Sequence, residues 1–277
     1  MAGRMSIGYG AGVRRLVQVA GHFPGRWWRQ IICLWLCCLA SQPLLAEQFS
    51  STNVQLLYGN HFHDPYYGSN TSGGGMTTVT VEHFGTWAYG DNFLFVDFKS
   101  GNFVDFAARP TGKTTRMYGE WHPRLSLSAL TGHDLQAGII SDLFIAGQIN
   151  RDGEGFKADM AGLGINLILP GFKFFEVDGY ARKDNFNRMT WQVTTAWSLP
   201  LYRDLLVLNG YIDANGSDNN GVEVNGQPQL LFDPVRFLGH GQNSENGSAM
   251  QVGVEWAFHR HRLVHSSVLQ AMLKWTF

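Results

Sequence analysis

Counted back from Phe277, the residues Phe277, Trp275, Leu273, Ala271 and Leu269 share one face, and Thr276, Lys274, Met272 and Gln270 share the other. An apolar–polar alternation of period two marks a β-strand whose two faces meet different media. The same alternation recurs upstream. Met250, Val252, Val254, Trp256 and Phe258 alternate with Gln251, Gly253, Glu255 and Ala257, and Trp191, Val193, Trp197 and Leu199 with Thr190, Gln192, Thr194 and Ser198.

Turn residues punctuate 12 such runs. They fall near 52–58, 77–86, 92–100, 115–127, 135–148, 157–169, 174–182, 190–199, 205–213, 227–237, 250–258 and 265–277. No helix-length period and no internal repeat interrupts them. Short links, AYGD (88–91), PGFK (170–173) and PLYRD (200–204), alternate with longer polar ones at 59–75, 101–113, 150–156 and 214–226. This is the plan of an all-β protein: an antiparallel up-and-down transmembrane β-barrel with short turns on one rim and long loops on the other. The links at 239–248 and 259–262 break the alternation in length. Tyr58, Trp87, Tyr89, Trp121, Trp256 and Trp275 are expected at strand ends, as interfacial girdles.

Composition sharpens this picture. Hydrophobic residues make up 44% of 277, and the mean hydropathy is -0.12. The longest compact apolar run, Ile31 to Ala40, falls short of the roughly 18 residues that a membrane helix needs. It follows five arginines and precedes SQPLLA, the order of a secretory signal peptide over 1–46, cleaved after Ala46 and leaving a barrel domain over 47–277. Met5 is an alternative start. Cys33, Cys37 and Cys38 leave with that segment, and LWLCC lacks the small residue that precedes a lipidated cysteine. Five of the 21 basic residues leave too, so 16 face 22 acidic ones, a net charge of -6 that argues against nucleic acid as partner.

The stretch EHFGTWAYGDNFLFVDF (82–98) resembles the Tsx/OmpK-like nucleoside-specific channel family of the outer membrane. NVQLLYG (53–59), YGEWHPRLSL (118–127), QPQLLFDP (227–234) and VGVEWAFHRHR (252–262) are similar to it as well. The resemblance implies a bacterial outer-membrane location and a 12-stranded barrel that passes nucleosides by diffusion through a narrow pore. It also implies a terminal strand read by the outer-membrane assembly machinery and, in some relatives, outer loops that serve phages or colicins. Lipid and lipopolysaccharide would surround the barrel, and no cofactor is implied.

The alternation assigns faces. With Leu94, Val96 and Phe98 toward lipid, Phe93, Phe95, Asp97 and Lys99 face the lumen, and on the preceding run Glu82 and Phe84 do so with Thr80. Aromatic rings beside charged groups suit a stacked base with hydrogen-bonded sugar hydroxyls. Packing of a narrow interior explains the same rings equally well. Tyr118, Glu120, Arg124, Asp142, Phe144, Glu176, Asp178, Tyr180, Arg182, Asp233, Glu255 and Lys274 are further inward candidates. Tyr118, Glu120, Arg124, Asp178 and Tyr180 complete the proposed pore lining. A mixed-sign lining fits a neutral solute better than an anion. His61, His63, Asp64, His259 and His261 have metal-like spacing, yet loop histidines without defined geometry are more often solvated. His83 falls on the lipid side, and no serine beside it forms a nucleophile setting, so no enzyme is expected. A non-selective or differently selective pore and a structural or surface-receptor barrel stay open as alternatives.

Overall fold

The computed structural model describes residues 49–202, 205–218, 221–239 and 249–277. The expected signal peptide lies outside the described residues, as does most of the 239–248 link. The long strands are β1 (Phe49–Gly59), β4 (Met76–Trp87), β5 (Gly90–Ser100), β6 (Thr115–Ser126), β7 (Ile140–Asp152), β8 (Lys157–Leu167), β9 (Phe174–Asp184), β10 (Thr190–Tyr202), β11 (Leu206–Ser217), β14 (Ala249–His261) and β15 (Val264–Thr276). Shorter ones are β2 (His63–Asp64), β3 (Ser69–Asn70), β12 (Gly221–Gly226) and β13 (Gln229–Phe232), and two helical turns are α1 (Leu127–Thr131) and α2 (Pro234–Phe237).

Each long strand pairs antiparallel with its neighbours in sequence. β1 closes the ring on β15, with Asn53 opposite Thr276 and Gly59 opposite Gln270. β12 and β13 together form one stave between β11 and β14, so the sheet is a closed 12-strand barrel. The stave breaks at Gln227–Pro228, because proline has no N–H for the ladder. The Gln227 N–H reaches the Tyr211 carbonyl at 3.1 Å, and the Pro228 carbonyl accepts from Trp256 N–H at 2.9 Å. Opposite the break, Gly210 has φ +153°, and a Cβ there would lie 2.7 Å from Pro228 Cα. Only glycine fits.

Strand residues alternate as their sequence demands. Leu269, Leu273, Trp275 and Phe277 lie on the outer face, while Gln270, Met272 and Lys274 are buried inside. Polar groups on the outer face satisfy one another. The His83 Nδ1 and Thr52 Oγ1 atoms lie 2.8 Å apart, Trp121 donates to Asn92 at 3.2 Å, and Trp256 donates to Ser267 at 2.9 Å. In hydrocarbon an unpaired N–H is costly, so such pairs are needed. Trp121 and Trp256 therefore lie within β6 and β14, not at the strand ends expected for a girdle.

Three further expectations are corrected. The segment 214–226, read as a loop because of its Asn and Gly residues, carries the end of β11 and all of β12. β7 begins at Ile140, later than the run at 135 suggested, because α1 occupies the preceding link. The helix is held by the Ser126 side chain, which accepts from Ala129 N–H, and by the left-handed Gly132 beyond it. Hence a long link sits on the rim expected to be short. The link expected at 150–156 shrinks to a turn at 153–156.

Val96→Arg, on the outer face midway along β5, is expected to lower folding stability by roughly 2–4 kcal/mol. Thr276→Ser, facing inward, should change it little. Denaturant titration of heat-modifiable folded barrel in lipid vesicles measures both. Equal midpoints would contradict the assigned faces.

Candidate functional site

The period-two inward positions enclose a cavity of about 670 Å³ that runs from Phe49 and Thr276, at the rim carrying the terminal strands, to Phe62 and Ser69 near the distal rim. One wall is aromatic. Phe84 on β4 and Phe93 and Phe95 on β5 border it, the last two with ring centres 6.0 Å apart. Across the barrel, Asn209, Tyr211 and Asp213 on β11 present an amide, a phenol and a carboxylate, and on the staves between, Gln229 on β13, Glu255 on β14 and Gln270 on β15 add two amides and a carboxylate.

The charged members are mutually engaged. Asp97 accepts from Thr80 Oγ1 at 2.7 Å and lies 3.9 Å from Lys99 Nζ. The Lys99 ammonium sits 5.9 Å from the Tyr67 ring and 5.6 Å from the Tyr118 ring, a cation between two π faces. Glu82 accepts from Asn53 at 2.7 Å, Gln55 at 3.1 Å and Lys274 at 3.3 Å. Glu255 is held by the amides of Gln229 at 2.9 Å and Gln270 at 2.8 Å. Toward the terminal rim, Arg124 donates twice to Asp91 at 2.8 Å, pairs with Glu176 at 2.8 Å, and approaches Asp178 at 3.6 Å. Gly164 makes this possible, since a Cβ there would lie 2.0 Å from Asp178 Oδ1.

Glu120 is saturated. It accepts from Gln148 and Asn150 at 2.9 Å and from the Tyr118 hydroxyl, and meets His122 Nε2 at 2.7 Å. From Gln148 the network continues to Gln192 at 3.2 Å, passing over β8 and β9, then through Thr194 to Asp213. Behind it Ala146, Ala158, Met160 and Tyr180 pack together. The bore is therefore filled beside β7 and β8, and the cavity runs past this packing, bordered by Glu120, Thr194 and Asp213.

Of the expected lining, Glu82, Phe84, Phe93, Phe95, Asp97, Lys99, Glu120, Arg124 and Asp178 border the cavity. Tyr118 and Tyr180 point inward without bordering it. Tyr180 donates to Asp178 at 3.1 Å, and Tyr118 stacks on Phe156. Asp142 instead accepts from Ser128 Oγ at 2.6 Å beside α1, and Asp233 caps α2 through Arg236 N–H at 2.9 Å. His122, Asp91 and the amides Asn53, Gln55, Gln229 and Gln270 were not singled out from sequence. The same period-two phase that selects Glu120 and Arg124 selects His122, and the phase of Lys274 selects Gln270.

The loop after β1, expected to be solvated, folds into the mouth. Asp64 is 1% exposed and meets His259 Nδ1 at 2.6 Å, while its other oxygen accepts from the N–H groups of Tyr66 and Tyr67. Tyr67 donates to Asn225 at 2.8 Å. Phe62 joins Met76, Phe103 and Val268 in a buried cluster. His259 and His261 are buried as well, whereas His61 and His63 stay exposed. The Asp64–His259 pair is thus a latch for the β2–β3 insert. In the second distal loop the Arg109 guanidinium beside Asp105 holds that carboxyl below the usual carboxylate range.

Removing one partner of a buried pair costs roughly 3–5 kcal/mol, so Asp64→Ala should release the insert. Single-channel conductance is expected to rise, and limited proteolysis to cut between residues 60 and 75 while the barrel stays heat-modifiable. An unchanged conductance and cleavage pattern would contradict the latch.

A family model described as "Nucleoside-specific channel-forming protein, Tsx" matches residues 53–268. The outer membrane protein OmpK of Vibrio parahaemolyticus serotype O3:K6 (strain RIMD 2210633) is 26% identical over an alignment of 133 residues that covers 40% of this chain and 50% of that protein. A second OmpK of Vibrio parahaemolyticus is 27% identical over an alignment of 106 residues that covers 35% of this chain and 40% of its own length. The chain thus spans about half, or less, of the curated relatives it matches. Among solved structures, the KdgM porin shares 6% identity over 82% of this chain and 98% of its own, with a TM-score of 0.44. Omp33 of Acinetobacter baumannii shares 10% over 83% and 98%, with a TM-score of 0.38. Matched across β1 to β15, the chain belongs to the Tsx family of nucleoside-specific channel-forming proteins of the outer membrane.

Proposed function

We propose that the barrel is an outer-membrane channel for passive, selective diffusion of nucleosides. The observation that carries this reading is the pairing of an aromatic wall, Phe84, Phe93 and Phe95, with a wall of amides and carboxylates across one cavity. A base stacks on the first while sugar hydroxyls hydrogen-bond to the second. The volume of about 670 Å³ falls among small-molecule sites, roughly 300–1,000 Å³. Lys99, Lys274 and Arg124 each lie beside a carboxylate, so the lining supplies no ring of free cations for an anionic solute. Solute passage is the family's theme, and no step of chemistry is assigned to any residue.

In this reading the rim carrying Phe49 and Phe277 faces the periplasm and the β2–β3 insert faces outward. Residues 1–46 are the export signal, cleaved after Ala46. The strand ending in Phe277 is the signal that the assembly machinery reads. Receptor use of the distal loops by phages or colicins is carried by the family alone.

The test is the nucleoside concentration that half-blocks current through Phe93→Ala and Phe95→Ala barrels that still fold. Loss of a base–aromatic stack of roughly 1–3 kcal/mol should weaken block about tenfold to a hundredfold. Unmodified values in both variants would place the stacking site elsewhere. For assembly, Phe277→Asp should yield far less heat-modifiable barrel than Thr276→Ser, and equal yields would contradict the signal.

A further inference from the structure

Charge is unevenly shared along the cavity. Among the described residues, nine carboxylate side chains border it against four lysines and arginines, Lys99, Arg124, Lys173 and Lys274. Three of these cations already sit beside carboxylates. Lys99 lies next to Asp97, Lys274 next to Glu82, and Arg124 serves Asp91, Glu176 and Asp178 at once.

Glu255 and Asp213 are held differently, by neutral donors alone. Glu255 Oε1 accepts from Gln270 Nε2 at 2.8 Å, and its Oε2 accepts from Gln229 Nε2 at 2.9 Å. An amide N–H only donates, so both oxygens act as acceptors, the pattern that favours an ionised carboxylate. Asp213 Oδ1 meets Thr194 Oγ1 at 2.6 Å, and that hydroxyl accepts from Gln192 Nε2 at 3.0 Å. The hydroxyl proton is left for Asp213, which again takes the acceptor's role. Both carboxylates border a cavity polar and roomy enough for water to complete their solvation.

A second feature adds to the same field. Gln270 is 4% exposed, and with its Nε2 turned to Glu255 its Oε1 has no hydrogen-bond partner among the described residues. Asn209, paired with Gln229 across the neighbouring stave, likewise has an Oδ1 without a donor. Gln270 and Asn209 both border the cavity, so two uncompensated carbonyl dipoles lie along its wall.

We propose that the channel is cation-selective, with Glu255 and Asp213 setting the preference. Fixed charges that the protein does not neutralise draw mobile counter-ions from solution, and low-dielectric walls confine their field to the bore. Acidic rings select cations in other channels on the same ground. The favoured solutes are small hydrated cations and cationic organic molecules, and anions are repelled. The inference rests on the channel reading and is independent of nucleoside binding.

The test reads the reversal potential of barrels in planar bilayers under a tenfold KCl gradient, with no nucleoside present. In the unmodified barrel, permeability to potassium should exceed that to chloride about tenfold, the low end of field-driven enrichment. Glu255→Gln and Asp213→Asn keep the size of each side chain while removing its charge. Each should lower the ratio about threefold, the effect of one charge roughly 7 Å from an ion in water. Glu154→Gln removes the same charge from the β7–β8 turn, outside the cavity, and should leave the ratio as it was. A ratio near or below one in the unmodified barrel would overturn the proposal whatever the variants do. An unchanged ratio in folded Glu255→Gln and Asp213→Asn barrels, or an equal fall in Glu154→Gln, would overturn it in favour of charge elsewhere on the protein. Absence of any conductance would overturn the channel reading and the inference with it.

Discussion

A chain that crosses hydrocarbon as extended strands must pair every backbone N–H and C=O with its own sheet. The rest of this molecule follows from that constraint. It requires β1 to meet β15, and it leaves no free edge among the described staves except where Gln227–Pro228 interrupts one. Even there the freed groups find Tyr211 and Trp256. Closure also forces each strand to hold two media apart, so the outer face is apolar and its few polar groups, His83, Trp121 and Trp256, pair with a neighbouring strand.

The interior then inherits most of the polar residues of the strands. A small barrel has little room for water, so these groups must satisfy each other across the lumen. Glu120 collects donors from β6 and β7, and the Gln148–Gln192 bond ties β7 to β10, filling the bore beside β7 and β8. Lys99, Lys274 and Arg124 each sit beside a carboxylate, while Glu255 and Asp213 are held by neutral donors, so the cavity wall carries more acidic than basic groups. What remains for a solute is the aromatic wall and the amides facing it.

The strands, their order and their two faces were legible because period two survives any tertiary context in a lipid-facing sheet. Phe93, Phe95, Asp97 and Lys99 were placed inside on that ground alone, and the geometry agrees. The insert was not legible. Whether Asp64 is solvated or latched depends on His259, 195 residues away, and no local pattern records such a contact. β12 was missed because Asn225 and Gly226 read as turn residues, although in a barrel wall they pair with β11 and β14. The lumenal amides were not legible because Gln and Asn are equally at home in turns and solvated loops, while the network inside is built mostly from them.

The proposed function stands or falls with binding of a nucleoside in the cavity on its way through the outer membrane. Planar-bilayer conductance of the unmodified barrel, titrated with adenosine or uridine, tests it most directly. A bound nucleoside would make the current fall along a saturable curve, with no comparable block by a nucleoside-free sugar of similar size. A conductance unaffected by nucleoside, or lowered without saturation by both solutes alike, would contradict it.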